Sequence, residues 1–208
     1  MSDIKNKIVL LSIIISIILL FSSCGNSSAL KFKNDGNTGN LIDEKNGRYY
    51  IYCGSYLKAS DIHAKVYAVD DGKPQEKLHE IFGADPAQWL SEDISLPVAL
   101  VFREKSVEEP TLGNFGTVII RLAQVGETIL NTGFINDKAV IDEIVNDYMN
   151  NEEVSLPEYI TEDTTLFFES EKYKGIYYVL QYFIDDKNAG YLYDRWTKRC
   201  VECVNIYE

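Results

Sequence analysis

The stretch Gly175-Ile-Tyr-Tyr-Val-Leu-Gln-Tyr-Phe-Ile184 decides the fold. Aromatic and β-branched residues of this kind are enriched in β-strands. Side chains alternate between the two faces of a strand, so Tyr178 and Tyr182 share one face and Tyr177 lies on the other. The stretch therefore predicts a long strand with tyrosines on both faces.

Three further β-prone runs surround this strand. Residues 165–169 precede it, and residues 190–196 and 199–207 follow it. The residues Asp185-Asp186-Lys187-Asn188 favour a turn between the long strand and the next one. Strands joined by short turns pair antiparallel, so the last third of the chain predicts an antiparallel sheet.

The first half also predicts strands. Residues 49–57 and 63–69 alternate in strand fashion and predict a hairpin. Residues 97–102 form a continuous apolar run, which is typical of a buried strand. Residues 117–124 and 128–134 predict two more strands around a short turn.

Helical spacing is clearest over residues 137–150. Ile144 and Tyr148 share one face there, and Asp137 can cap the first turn by accepting a backbone hydrogen bond. Residues 74–82 predict a shorter helix. Together the elements predict an α+β fold, mainly antiparallel sheet or sheets with one prominent and one shorter helix.

Composition limits the class of protein. The globular domain is expected to span residues 48–208, with two subdomains that meet near residues 104–115 as the alternative. A hydrophobic fraction of 46% is typical of a folded chain. The net charge of −12 repels nucleic acid and anionic lipid surfaces, so no nucleic-acid partner is predicted.

The start of the chain has the pattern of a secretory leader. Lys5 and Lys7 precede the apolar residues 8–21, and Ser22-Ser23-Cys24 follows them. A positive start, an apolar middle and small residues before a cleavage point define such leaders. The apolar stretch is shorter than the about 20 residues that cross a bilayer, which disfavours an uncleaved anchor.

With Cys24 at the cleavage point, the leader resembles that of bacterial lipoproteins. The resemblance covers residues 1–25. It implies a signal peptide of residues 1–23 and a diacylglyceryl group with palmitate-type chains on the sulfur of Cys24. Buried acyl chains would then hold the protein on the extracytoplasmic face of the cell membrane. Ordinary secretion and an uncleaved anchor are the alternatives.

A flexible tether is predicted for residues 24–47, which are rich in Gly, Asn, Ser and Asp. Asp35, Asn37 and Gly39 faintly suggest a calcium loop. The twelfth position counted from Asp35 is Asn46, where an EF-hand loop needs Glu. We therefore expect a tether that binds no metal.

No local catalytic motif occurs in the sequence. A Gly-x-Ser-x-Gly elbow, a phosphate-binding loop and a dinucleotide fingerprint are all missing. His63 and His79 do not have zinc-site spacing, and His79 is expected on the surface of the short helix. No catalytic residue, metal or cofactor is predicted, although a Ser-His-Asp triad assembled in space stays open.

Three cysteines follow Cys24. Cys200 and Cys203 are expected on opposite faces of one strand, about 10 Å apart. A disulfide needs Cα atoms within about 7 Å, so these two are not expected to bridge. The chain ends too soon after Cys203 for a helix to follow, which argues against thioredoxin-type chemistry. A bridge from Cys53 to either one, and three free thiols, stay open.

A candidate ligand surface ends the strand at residues 190–196. Tyr193, Arg195 and Trp196 combine aromatic faces with polar groups, which suits a glycan or a peptide. Ordinary sheet packing of Tyr is the alternative. The sequence favours a non-enzymatic envelope lipoprotein that binds a partner protein or cell-wall glycan. A hydrolase without a local motif and an inhibitor or immunity-type module are the other hypotheses.

Overall fold

The computed structural model describes residues 29–206, apart from residues 37, 55, 60–61, 72, 74–75, 93–98 and 126–127. The leader and Cys24 lie outside the described residues. The described residues form fourteen strands: β1 (Leu30–Asn34), β2 (Leu41–Asp43), β3 (Arg48–Tyr52), β4 (Leu57–Ala59), β5 (Ile62–Asp70), β6 (Lys77–Ile81), β7 (Trp89–Glu92), β8 (Ala99–Glu104), β9 (Ile119–Val125), β10 (Thr128–Ile135), β11 (Ile160–Phe168), β12 (Ile176–Asp185), β13 (Gly190–Tyr193) and β14 (Cys200–Cys203). The α-helix α1 covers Lys138–Asn150, and a short 3-10 turn covers Leu112–Asn114.

Seven strands form a closed sheet. They pair in the order β8-β3-β2-β1-β5-β6-β7, and β7 pairs with β8 to complete the circle. β1 and β5 run parallel, with Leu30 opposite Ala68. The other pairs are antiparallel. Closure leaves these strands without a free edge that could pair with another chain.

The closed sheet encloses a compact apolar interior. Its buried residues are Phe32, Leu41, Tyr50, Ala68, Leu78, Leu90 and Phe102. The rings of Phe32 and Tyr50 meet edge to face, with centroids 5.4 Å apart. The Tyr50 hydroxyl donates to the carbonyl oxygens of Pro86 at 3.2 Å and Ala87 at 3.3 Å, so its polar end is satisfied at one end of the sheet.

The other strands form an open sheet in the order β10-β9-β11-β12-β4, with β13 beside β12 and β14 beside β13. β4 pairs with β12 near Tyr178, and β13 pairs with β12 nearer Ile184, so both lie along the same long strand. The helix α1 packs on one face of this sheet. Ile141, Ile144 and Tyr148 of the helix are buried there.

The two sheets are joined through β8 and share a core. Ala99 and Leu100 at the start of β8 pair with β4, whereas Phe102 pairs with β3 in the closed sheet. Trp89 and Val101, from strands of the closed sheet, are buried in the same cluster as α1. The two sheets therefore pack as one body, and β4 places an early segment of the chain in the open sheet.

The predicted long helix is confirmed. Asp137 caps α1 by accepting a hydrogen bond from the Ala139 N–H at 2.9 Å. Ile144 is fully buried, as its helical spacing predicts. The predicted strands β9 to β14 are confirmed as well, with three differences in their bounds. β11 begins earlier than expected, at Ile160, whereas β13 ends at Tyr193 instead of residue 196 and β14 ends at Cys203 instead of residue 207.

The turn between β12 and β13 also forms where the sequence places it. The Asp185 Oδ1 accepts hydrogen bonds from the N–H groups of Lys187 and Ala189, both at 2.9 Å. Asn188 takes a left-handed conformation with φ 68°. An acidic side chain that accepts nearby backbone hydrogen bonds and a left-handed Asn are the two features that such turns use.

The predicted short helix at residues 74–82 is wrong. Within the described residues of that range the chain forms β6, which pairs with β5 on one side and β7 on the other. His79 is 4% exposed on this strand and is not a surface helix residue. A short apolar run is compatible with both the helical and the strand periodicity. Backbone pairing with a strand on each side favours the strand here. The described chain is thus mainly β with a single helix, so the α+β expectation is met only loosely.

The predicted tether at residues 24–47 is corrected from Leu30 onward. β1 and β2 belong to the closed sheet, and Phe32 has no exposed surface. The Gly- and Asn-rich residues form a tight connection, in which the Asp35 N–H donates to the Asn40 carbonyl oxygen at 3.0 Å. The folded part thus begins well before residue 48, because the turn residues of a hairpin have the same composition as a linker.

The predicted hairpin of residues 49–57 with 63–69 is also wrong. β3 pairs with β2 and β8, and β5 pairs with β1 and β6. The chain leaves β3, crosses into the open sheet as β4 and then returns. The two β-prone runs are neighbours in sequence but not in space.

Candidate functional site

The predicted ligand surface lies on the turn between β13 and β14, called here the Trp196 turn (residues 194–199). Asp194 is 1% exposed, and its carboxylate holds the turn through hydrogen bonds. Its Oδ1 accepts a hydrogen bond from the Trp196 N–H at 2.7 Å, and its Oδ2 accepts one from the Tyr148 hydroxyl at 3.4 Å. Lys198 takes a left-handed conformation with φ 66°. The turn is thereby fixed to both its sheet and α1.

Trp196 is exposed by 51% at the tip of this turn. Its ring packs on Gly54, and a Cβ added to Gly54 would lie 2.5 Å from the nearest indole atom. Tyr52 meets the indole edge to face, with centroids 5.8 Å apart and an interplanar angle of 89°. The indole is therefore held in one position while half of its surface stays available to a ligand.

The exposed charged residues of the turn itself are positive, although Asp163 on β11 attracts the charge of Arg195. Arg195 and Lys198 are both exposed on the same turn as Trp196. Arg199 has a structural role, since its guanidinium lies 5.1 Å from the centre of the Tyr148 ring and donates to the Asn151 carbonyl oxygen at 3.1 Å. The exposed cations of the turn are thus Arg195 and Lys198, on a chain whose net charge is −12.

Of the predicted site residues, the structure brings Arg195 and Trp196 together on one exposed turn. Tyr193 lies half-buried on β13, where its ring packs against Phe183 with centroids 6.1 Å apart. Its role is therefore mainly that of sheet packing, which was the alternative interpretation.

Sequence reasoning missed three supports of the site: Asp194, Gly54 and Tyr52. Asp two positions before Trp196 is a recognisable Asx-turn signal. Gly54 and Tyr52 are far away in sequence, and their contact with Trp196 depends on the packing of the closed sheet against the open one.

The three cysteines in the described part of the chain offer no reactive thiol. Cys53, Cys200 and Cys203 are all free. Burial raises the pKa of the Cys53 thiol to about 12 and that of Cys200 to about 11, and it also raises the pKa of Cys203. A nucleophilic cysteine needs the opposite, a lowered pKa. The prediction that Cys200 and Cys203 lie on one strand is confirmed, since both belong to β14.

A partly buried polar network beside Cys53 is structural. Arg103 donates to the Val107 carbonyl oxygen and, at 3.4 Å, to Glu109. The Tyr56 hydroxyl also donates to Glu109, and burial raises the pKa of this tyrosine. The network fastens the segment after β8 to the core.

The described residues contain no cluster of three or more His, Cys, Asp or Glu side chains that could hold a metal ion. No helix in the described part of the chain has the length and apolar composition needed to cross a membrane. Comparisons with protein-family models, curated proteins and solved structures give no match for this chain.

Proposed function

We propose that the protein is a lipid-anchored binding module of the cell envelope and that the Trp196 turn binds an acidic cell-wall glycan. The observation that carries the proposal is the fixed, half-exposed indole of Trp196 on a turn that also contains two exposed cations, Arg195 and Lys198. Trp is enriched at binding interfaces because it combines a large apolar ring with a polar N–H.

The chemistry of the turn matches such a ligand. An indole face provides a flat apolar surface for the C–H groups of a sugar ring, and its fixed position lowers the entropy cost of binding. Arg195 and Lys198 can form charge-assisted hydrogen bonds with a carboxylate on the same ligand. The net charge of −12 opposes the approach of an acidic ligand, so binding depends on short-range contacts of the ligand carboxylate with these two cations.

A non-enzymatic role is supported by the state of the thiols. Their raised pKa values keep Cys53 and Cys200 protonated near neutral pH. A second support is that binding at the Trp196 turn needs no reactive group, because stacking and ion pairing suffice.

Trp196→Ala tests the binding proposal. The full-length protein in detergent is mixed with insoluble peptidoglycan, which carries carboxylates, or with chitin, a neutral polymer of related sugars. We expect co-sedimentation with peptidoglycan only, and a loss of at least about tenfold in affinity for the variant, as for a central aromatic contact.

Tyr159→Ala is the matched control, because Tyr159 is 62% exposed and lies away from the turn. It should bind like wild type. Equal binding to chitin, or equal loss in both variants, would contradict the proposal. If the wild-type protein co-sediments with neither polymer, the result would point to a protein partner instead.

Cys24→Ala tests the anchor. Without the thiol no thioether can form, so the variant should leave the membrane fraction or keep its leader. Mass spectrometry and membrane fractionation distinguish the two forms. A membrane-bound variant of unchanged mass would show that Cys24 is not the attachment point.

A further inference from the structure

A second candidate site lies at one end of the closed sheet, and its chemical character differs from that of the Trp196 turn. The apolar side chains Phe32, Leu41, Leu78 and Phe102 form the floor of a pocket of about 270 Å³ there. β7 starts near Pro86 and Ala87, where the Tyr50 hydroxyl closes the sheet, and ends at Glu92 on the rim of the pocket. The pocket thus occupies the opposite end, a common place for a ligand in closed sheets.

The rim of this pocket is acidic. Asp70, Glu76 and Glu92 line it, with Lys77 as the one cation among its described lining residues. Asp70 is 6% exposed, and its Oδ1 accepts a hydrogen bond from the Lys73 N–H at 2.8 Å, so its position is fixed. A carboxylate held at the edge of an apolar floor favours a positively charged guest.

A metal ion does not fit this arrangement. Within the described residues no three acidic or other ligand side chains converge as a metal site requires. A floor of aromatic and aliphatic carbon also provides no oxygen ligands for a hard cation. The combination suits a cation that carries its own apolar surface.

Two of the rim carboxylates, Glu76 and Glu92, differ in the contacts that they already make. Glu76 already forms an ion pair with Lys73 at 2.8 Å. Glu92 accepts a hydrogen bond of 3.3 Å from the Leu100 N–H, which orients its carboxylate, and its charge is attracted by Lys58 on the neighbouring strand β4, outside the pocket lining. Glu92 is therefore the rim residue whose charge matters most to a ligand.

We propose that this pocket binds a small organic cation, an amine attached to an aryl or alkyl group. The apolar part would lie on the small exposed surfaces of Leu41, Leu78 and Phe102, and the ammonium would meet the carboxylates of Asp70 and Glu92. The volume lies near the lower end of the roughly 300–1,000 Å³ of ligand pockets, which limits the guest to a small molecule. The proposal is independent of the glycan site and of the lipid anchor.

The test uses three probes that share one ring and differ in charge: 2-phenylethylamine, 2-phenylethanol and phenylacetate. Binding to the full-length protein in detergent is followed by saturation-transfer NMR and calorimetry. The amine is expected to bind at least about tenfold more tightly than the alcohol, and phenylacetate is expected to be excluded. Equal affinity for amine and alcohol, or tighter binding of phenylacetate, would overturn the proposal.

Glu92→Gln locates the site. It should weaken amine binding about fivefold, a typical effect of removing one partly exposed charge pair, and leave the alcohol unchanged. Glu143→Gln on the exposed face of α1 is the matched control and should have no effect. If both variants bind the amine with the same affinity, the amine binds elsewhere and the proposal is overturned. The comparison of the three probes on the wild-type protein tests the charge preference without any variant.

Discussion

The open sheet and the closed sheet are built from the same kinds of residue but by different routes. In the open sheet, β9 pairs with β10, β11 with β12, β12 with β13 and β13 with β14, and the distant pairs are β9 with β11 and β4 with β12. The closed sheet also contains pairs of consecutive strands, but it closes into a circle only through the distant pairs β1 with β5 and β3 with β8. A pair of consecutive strands can be recognised in the sequence, because the turn residues between them are part of the pattern. Two strands that are far apart in the chain have no such local feature that links them.

The two interiors also differ. The interior of the closed sheet is small and ends in a pocket, whereas the open sheet shares a large cluster with α1 that includes Phe115, Tyr148, Tyr173 and Tyr178. Phe115 stacks on Tyr173 at 5.5 Å and contacts Tyr178 at 5.7 Å. We therefore expect the core of the open sheet to tolerate substitution least.

Ile144→Asp is the strongest test of that expectation. It removes a fully buried side chain and places an unpaired charge among aromatic rings, so the free energy of unfolding should fall by more than about 5 kcal/mol. Chemical denaturation measures the loss. Met149→Asp on the same helix is the control, because Met149 is 41% exposed and should change little. Similar values for both would show that α1 is peripheral.

Phe32→Ala tests whether the closed sheet folds as part of the same body. Phe32 has no exposed surface, and truncation of such a phenylalanine costs about 3–5 kcal/mol. Lys31→Ala next to it breaks only an exposed ion pair with Asp71 and should cost less than about 1 kcal/mol. An unchanged unfolding curve for Phe32→Ala would restore the tether interpretation of residues 24–47.

Gly54→Ala tests the contact between the two sheets. Gly54 has φ +73° and lies against Trp196, so a methyl group should cost about 2–3 kcal/mol and displace the indole. Gly47→Ala is the control, since Gly47 has φ +67° but open space around it and should pay only the backbone strain of about 1 kcal/mol.

Acrylamide quenching of tryptophan fluorescence follows the displacement, because the other tryptophan, Trp89, is 3% exposed. Stronger quenching in Gly54→Ala than in Gly47→Ala is expected. The same quenching in both variants would mean that Gly54 does not hold the Trp196 ring.

The candidate site was predictable in part. Arg195 and Trp196 could be selected from the sequence because a charged residue and an aromatic residue are adjacent at the end of a β-prone run. The buried Asp194 could have been found by its position before a turn. Gly54 and Tyr52 could not, because no local pattern links them to Trp196. The pocket at the end of the closed sheet could not be predicted either, since Phe32 and Phe102 come from segments whose pairing is distant.

The sequence by itself determined the capped helix at Asp137, the strands from β9 to β14 and the turn at Asp185, since periodicity and turn chemistry act within a few residues. Only the tertiary structure decided that Phe32 lies inside a sheet and that His79 lies on a strand. Those outcomes depend on backbone hydrogen bonds and apolar burial between segments far apart in sequence. Such interactions override weak local preference, and a single sequence contains no direct sign of them.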